Sequence, residues 1–343
     1  MRTTARHDRI GRRASIVWAV LALVALFATG AGAETVKIGV VKGAVVGPVY
    51  LAQDKGYFAA EGLTVEIVYF DAAQPIAVAA ASGDIDFGGV GLTGGLYSLG
   101  GQGALRIIAG FFREAPGFKL IGYLASNKAY AAGLTSLKEL GGHSIAVTQI
   151  GSALHYALGL AADKYKIDLK TVRILPLQAN ANIASAITGG QADAALLNSF
   201  YSGPLVVRGE AKALGWVGDE TPWQMGAVFT ATRNTNERSD MVQRFLRAYR
   251  KGAEDFNAAF AGADGTRKDG PTADTVAALI AKQIGQSVDD VKATIPAVDP
   301  ELRLEVRDIL RQIDWYKAQG MVKGPVDGDV LIDKRYVIPL PQS

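Results

Sequence analysis

The chain has 343 residues, about half of them apolar, with 36 basic and 33 acidic side chains and no cysteine. That apolar content argues against disorder, and the lack of cysteine excludes a disulfide framework, thiolate metal sites and a cysteine nucleophile. The basic excess belongs to the first 33 residues, which hold five arginines and one aspartate; the remainder carries 31 basic and 32 acidic residues, with no Lys/Arg-rich tract suited to nucleic acid or an acidic membrane surface.

Residues 1–33 read as a signal peptide. Arg2, Arg6, Arg9, Arg12 and Arg13 give a basic start, and Ile16 to Phe27 is an unbroken apolar run, shorter than a bilayer span requires. Ala31-Gly32-Ala33 then offers the A-x-A cleavage pattern. Without a cysteine there is no site for a diacylglycerol anchor, so an untethered protein held in the periplasm by an outer membrane is expected. The remaining chain exceeds the size at which one core usually splits, which predicts two domains.

Strand and helix signals alternate from the start. Val36 to Val41 is a β-rich run, and Pro48 suits the first turn of a helix ending at Gly56. A turn at Tyr57 to Glu61 precedes a strand at Leu63 to Tyr69, a helix at Gln74 to Ser82 and a short strand at Ile85 to Gly88. A helix near Thr93 to Leu99 and a strand at Leu105 to Phe111 complete the first unit. The breaker-rich Arg113 to Gly117 separates it from a strand at Phe118 to Ala125. A second unit repeats the alternation: strand Ser144 to Thr148, helix Ser152 to Tyr165, strand Val172 to Leu177, helix Asn182 to Thr188, strand Asp193 to Leu197, helix near Gly203 to Gly209 and strand Ala211 to Val217. A break at Gly218 to Pro222 leads to a strand at Ala227 to Thr232. Helices follow near Ser239 to Phe260, Ala273 to Gln283, Val288 to Ala293 and Glu301 to Gln319, the third opened by Ser287 and Asp290 at capping-box spacing. Such alternation predicts an α/β protein with parallel sheets covered by helices. Residues 77–86 (AVAAASGDID) and 184–193 (ASAITGGQAD) share one pattern, a small-residue helix, a glycine stop and an acid before a strand, which favours two similar lobes.

Val49 to Ile67 (VYLAQDKGYFAAEGLTVEI) resembles the sulfonate, nitrate and taurine binding proteins of ABC importers, which are themselves similar to binders of thiamine-precursor pyrimidines. The resemblance continues through SGDIDFGGVG (Ser82 to Gly91), LKELGGHSIAVTQIGSALHY (Leu137 to Tyr156), GGQADAAL (Gly189 to Leu196) and GMVKGPVDGDVLIDKRYV (Gly320 to Val337). It implies a type II periplasmic-binding-protein fold, two doubly wound lobes joined by a two-strand hinge. Lobe 1 would be residues 34–112 plus 227–343 and lobe 2 residues 113–226, with crossovers near Phe112 to Gly117 and Pro222 to Gly226. It also implies a monomer that closes on a small solute and delivers it to an ABC permease and its ATPase.

Ligands of open parallel sheets bind beyond the carboxyl ends of the strands. Four such loops stand out: Lys42 to Gly47, with Val46 and Gly47; Gly88 to Thr93, with Gly91 and Thr93; Thr148 to Ser152; and Asn198 to Tyr201. Helices following them would aim backbone N–H groups at a ligand, which suits an anion without any Arg. Thr148, Gln149, Gly151 and Ser152 form the strongest set, although Ser152 and Thr93 are also ordinary helix caps. His155 either faces the ligand or packs neutral, its protonation disfavoured by the helix end. Phe200 and Tyr201 either wall the ligand or cover the lobe core; Trp223 with Gln224, at the second crossover, is expected in the cleft. Arg113 either neutralises an anion, pairs with Glu114 at the hinge or is solvated. Asp84, Asp86 and Asp193 read as structural. Two histidines far apart in the mature chain give no metal site, and no cofactor is expected.

The four loops contain one lysine and no other charge, which favours a monoanion such as an alkanesulfonate, with an uncharged or aromatic solute as the rival. An enzyme on this fold and a ligand-reporting module for a membrane sensor are the other classes; no Ser–His–acid arrangement or phosphate-cradling loop supports the first.

Overall fold

In the computed structural model, residues 32–322 and 324–341 are described; the expected basic start and apolar run of the leader lie outside the described residues. The chain opens with β1 (Glu34–Val41), a tight 3-10 turn at Ala44–Val46, and α1 (Gly47–Asp54), which has Pro48 in its first turn. Then come α2 (Tyr57–Ala60), β2 (Leu63–Phe70), α3 (Ala73–Ser82), β3 (Phe87–Gly91), α4 (Gly94–Gly101) and β4 (Leu105–Glu114). The second stretch runs β5 (Ile121–Ser126), α5 (Asn127–Ala131), β6 (Ser144–Val147), α6 (Ala153–Tyr165), β7 (Arg173–Pro176), α7 (Asn180–Thr188), β8 (Ala194–Asn198), α8 (Ser199–Val207), β9 (Ala211–Trp216) and α9 (Val217–Glu220). The chain then returns through β10 (Trp223–Ala231) to α10 (Thr232–Glu237), α11 (Ser239–Phe260), α12 (Ala273–Ile284), α13 (Val288–Ala293), α14 (Val306–Ala318) and α15 (Gly328–Leu331).

The strands form two five-stranded sheets, β2-β1-β3-β10-β4 and β7-β6-β8-β5-β9. Each is mixed, which departs from the all-parallel expectation. β1 and β3 are parallel, as are β6 with β7 and β8, but β10 runs antiparallel to β3 and β4, and β5 antiparallel to β8 and β9. β10 and β5 are the strands that enter each sheet from the other one, β10 after only the single-turn α9, so no packed crossover helix forces them parallel. Apart from that visiting strand, both sheets have the same 2-1-3-4 order.

The paired sequence junctions have a common structural role. Asp86, just before β3, accepts the Lys37 N–H of β1 at 2.8 Å. Asp193, just before β8, accepts the Ser144 N–H of β6 at 2.9 Å and its hydroxyl at 2.7 Å. In both cases the acid preceding one strand accepts a main-chain N–H from the neighbouring parallel strand, Lys37 within β1 and Ser144 at the start of β6. Their structural reading holds.

The core of the first sheet is aromatic. Phe245 on the long α11 stacks between Phe87 at 3.9 Å and Phe58 at 5.4 Å, each fully buried ring stabilising the fold by roughly 2–3 kcal/mol. No helix among the described residues is long and apolar enough to cross a membrane.

Elements of the two sheets touch on both sides of the space between them. On one side the Gly94 N–H donates to the Gly151 carbonyl at 2.9 Å, and the Tyr316 hydroxyl of α14 donates to the Ser152 carbonyl at 2.9 Å. Trp315 lies edge-on to Tyr156 of α6, where an added Cβ on Gly159 would sit 2.5 Å from its ring. On the other side Gln286 donates to the Phe200 carbonyl at 2.7 Å. That carbonyl is free because Pro204, four residues on and inside α8, has no N–H to give it.

Candidate functional site

A cleft of about 680 Å³ opens where the strand ends of the two sheets converge. From the first sheet it is lined by Val41 to Val45, Ala72, Ala73, Gly89 to Gly91, Phe112 and Met225. Leu120 and Ile121, at the start of β5, close one wall. The second sheet supplies Thr148, Ser152 to Leu154, Asn180 and Asn198 to Phe200. The walls are mostly apolar, as is usual for small-molecule sites.

The electrostatics follow from these residue types. Among the described lining residues Lys42 is the only charged one, its ammonium 5.9 Å from the centre of the Tyr69 ring. The remaining polar groups are hydroxyls, amides and main-chain N–H groups at the first turns of α6 and α8. Ser152 is the N-cap of α6, its Oγ accepting the His155 N–H at 3.2 Å, and it also lines the cleft. Asn198 sits at the N-cap of α8 without a side-chain capping bond, and its Oδ1 is buried with no hydrogen-bond partner. A buried unpaired acceptor is costly unless something arrives to satisfy it.

Of the residues singled out from sequence, Gly91, Thr148, Ser152 and Asn198 line the cleft together. The others lie elsewhere. Val46 and Gly47 are buried beneath the loop, Gly47 against Phe256 and Ile280, and Lys42 to Val45 take their place. Thr93 is spent as a cap, its Oγ1 accepting the Leu96 N–H at 3.0 Å and donating to Gln74 at 2.7 Å. Gln149 turns outward to Gln178 at 3.3 Å. Gly151 has φ +78°, a left-handed conformation that favours glycine; its N–H goes to His155 Nδ1 at 3.1 Å and its carbonyl to Gly94.

His155 therefore packs as a buried acceptor, edge-on to Trp315. Burial, more than the helix end, holds its pKa below the ordinary histidine value. Tyr201 lies edge-on to Phe200, ring centres 4.8 Å apart, and of the two only Phe200 reaches the cleft wall. Trp223 is fully buried against Tyr156 at 4.7 Å, because β10 starts at Trp223 and not four residues later; Met225 lines the cleft instead. Arg113 and Glu114 form no pair: Glu114 is buried and Arg113 faces a separate cavity.

Ala72, Ala73 and Asn180 were missed. They lie in the links after β2 and β7, and the strand-end rule that selected four loops applies to these two as well. Among the described residues no cluster of three or more His, Cys, Asp or Glu could hold a metal.

Two mixed sheets with a cleft at their facing strand ends are the periplasmic-binding-protein fold. The chain belongs to the NMT1/THI5-like family, which it matches over residues 44–259. No curated protein matches it. Among solved structures it is similar to the alkanesulfonate-binding protein SsuA from Xanthomonas axonopodis pv. citri bound to MOPS, with 19% identity, a TM-score of 0.69, and coverage of 91% of this chain and 100% of that one. The periplasmic nitrate-binding protein NrtA from Synechocystis PCC 6803 is similar at 12% identity and TM-score 0.66, covering 86% and 84%. The desulfurization enzyme DSZB is similar at 15% identity and TM-score 0.58, covering 89% and 96%.

Proposed function

We propose that the chain is the periplasmic solute-binding component of an ABC importer, taking a small organic monoanion with an apolar body. The lobes are residues 34–112 plus 227–343 and residues 113–226, and they swing about the two crossovers to enclose the solute. One observation carries the reading: a cleft with apolar walls, a single lysine and two helix N-termini, set between two sheets that touch on both flanks. The anionic head lies against the first turns of α6 and α8, near Thr148, Ser152 and Asn180, and the apolar body against Val41, Val45, Phe112, Leu120 and Met225. The MOPS held by the SsuA relative, a sulfonate, has this chemistry. Ligand bridging both lobes shifts the population toward the closed form, which a permease then recognises and an ATPase drives. The protein acts as a monomer.

The unpaired Asn198 Oδ1 supports a second reading, an uncharged or heterocyclic solute with an N–H donor, packed on Phe200. Among the described residues the lining has no cysteine, histidine or carboxylate, which favours binding over turnover.

Native mass spectrometry after mild purification identifies the retained solute, and calorimetry compares it with Ser152→Asp. Aspartate keeps the cap but places a charge on the cleft wall. An anionic solute should bind at least about tenfold more weakly through that repulsion. Undiminished affinity would refute the placement of the anionic head.

A further inference from the structure

Arg113, Arg307 and Arg311, with Glu305 and Asp308, line a second cavity of about 590 Å³, apart from the cleft. It lies where the end of β4 meets the first turns of α14. Both carboxylates are already occupied. Glu305 caps α14, its Oε1 accepting the Arg307 N–H at 3.2 Å with the Arg307 Nε 3.7 Å away. Asp308 accepts the Gln224 N–H at 2.8 Å through one oxygen and pairs with Arg311 at 2.5 Å through the other.

Arg113 is left over. Its main-chain N–H goes to the Ala297 carbonyl at 2.9 Å, but its Nε is buried without a hydrogen-bond partner and no carboxylate pairs with it. Three guanidinium groups against two engaged carboxylates leave one positive charge beside a space large enough for a small ion.

We propose that this cavity is a second binding site, for a small oxyanion of the phosphate, sulfate or carboxylate class, with Arg113 as its principal ligand and Arg307 and Arg311 closing around it. A guanidinium fork fits paired oxygens, and its planar donors satisfy them two at a time. The assignment does not depend on what the cleft binds.

The test is calorimetric titration of the full chain with inorganic phosphate, and then sulfate, in low-chloride buffer. Wild type and Ser152→Asp should bind alike, and Arg113→Gln should weaken binding roughly tenfold or more, the loss expected for a charge-assisted contact. Arg113→Lys, which keeps charge but not the fork, should fall between them. Equal thermal melts would show that the variants fold. Undetectable binding of both anions at millimolar concentration, or full affinity in Arg113→Gln, overturns the site. Loss in Ser152→Asp with retention in Arg113→Gln overturns it too, by assigning the anion to the cleft.

Discussion

Replacing Glu114 by glutamine should flatten the pH dependence of stability. Glu114 ends β4 with its side chain buried, 1% exposed. No donor reaches hydrogen-bond geometry with either carboxyl oxygen, although the Gly218 and Ile121 N–H groups are near enough to oppose the shift in part. Burial first, then repulsion from Asp219, pushes the carboxyl well above its ordinary value of 4.5. The folded protein thus keeps a proton that the unfolded chain gives up. Below the unfolded value both states are protonated and there is no effect. Above it the unfolded state binds fewer protons, so stability falls with rising pH by about 1.4 kcal/mol per unit while the folded carboxyl stays neutral. Glutamine is nearly isosteric and does not titrate. Urea melts of both proteins from pH 4.5 to 7 should show the variant gaining on wild type at each step. Parallel curves would mean that Glu114 is ionised and paired in solution, and the argument from burial would fail.

His155 has the opposite sign. Its pKa is depressed below 6.5, so its contribution is present above that pH and is lost as pH falls toward the folded value; His155→Gln should lose less stability than wild type between pH 7 and 5 in thermal melts. Gly159→Val should push Trp315 away from α6, costing roughly 1–3 kcal/mol, and small-angle scattering should report a wider molecule; an unchanged radius would refute the contact's role in holding the sheets together. Asp86→Ala and Asp193→Ala should each cost about 1–3 kcal/mol, through an orphaned strand N–H together with the lost Arg238 ion pair in the first and the lost Ser144 hydroxyl bond in the second; denaturant melts showing no loss in either would refute the role of the two acids.

Much of the fold was legible because local rules and tertiary needs agreed. Ser239–Phe260 and Val288–Ala293 start and stop where their apolar spacing and the Ser287 cap indicate. The repeated acid before a strand was visible as a pattern, but its reason, a bond to a residue 49 positions earlier in each lobe, was not.

The failures share a cause. Pro204 looks like a helix start, yet α8 begins at Ser199, because the carbonyl that proline frees is satisfied by Gln286 from far along the chain. Gln224, expected in the cleft beside Trp223, is instead fully buried in β10, donating to the Phe112 and Gly226 carbonyls at 3.2 and 2.7 Å. Missing that strand start misplaced Trp223 in the cleft. In both cases a distant partner decides the local structure, and no window of sequence contains it.

The visiting strands also set an order of assembly. Every strand of the second sheet lies between residues 121 and 216, so that sheet can close on itself as soon as this stretch is available. The first sheet must wait: β3 and β4 have a gap between them until residues 223–231 arrive to fill it. As the chain emerges from its N-terminus, the second sheet is therefore completed first, and β1 to β4 remain an incomplete template, open to unwanted partners, until β10 emerges.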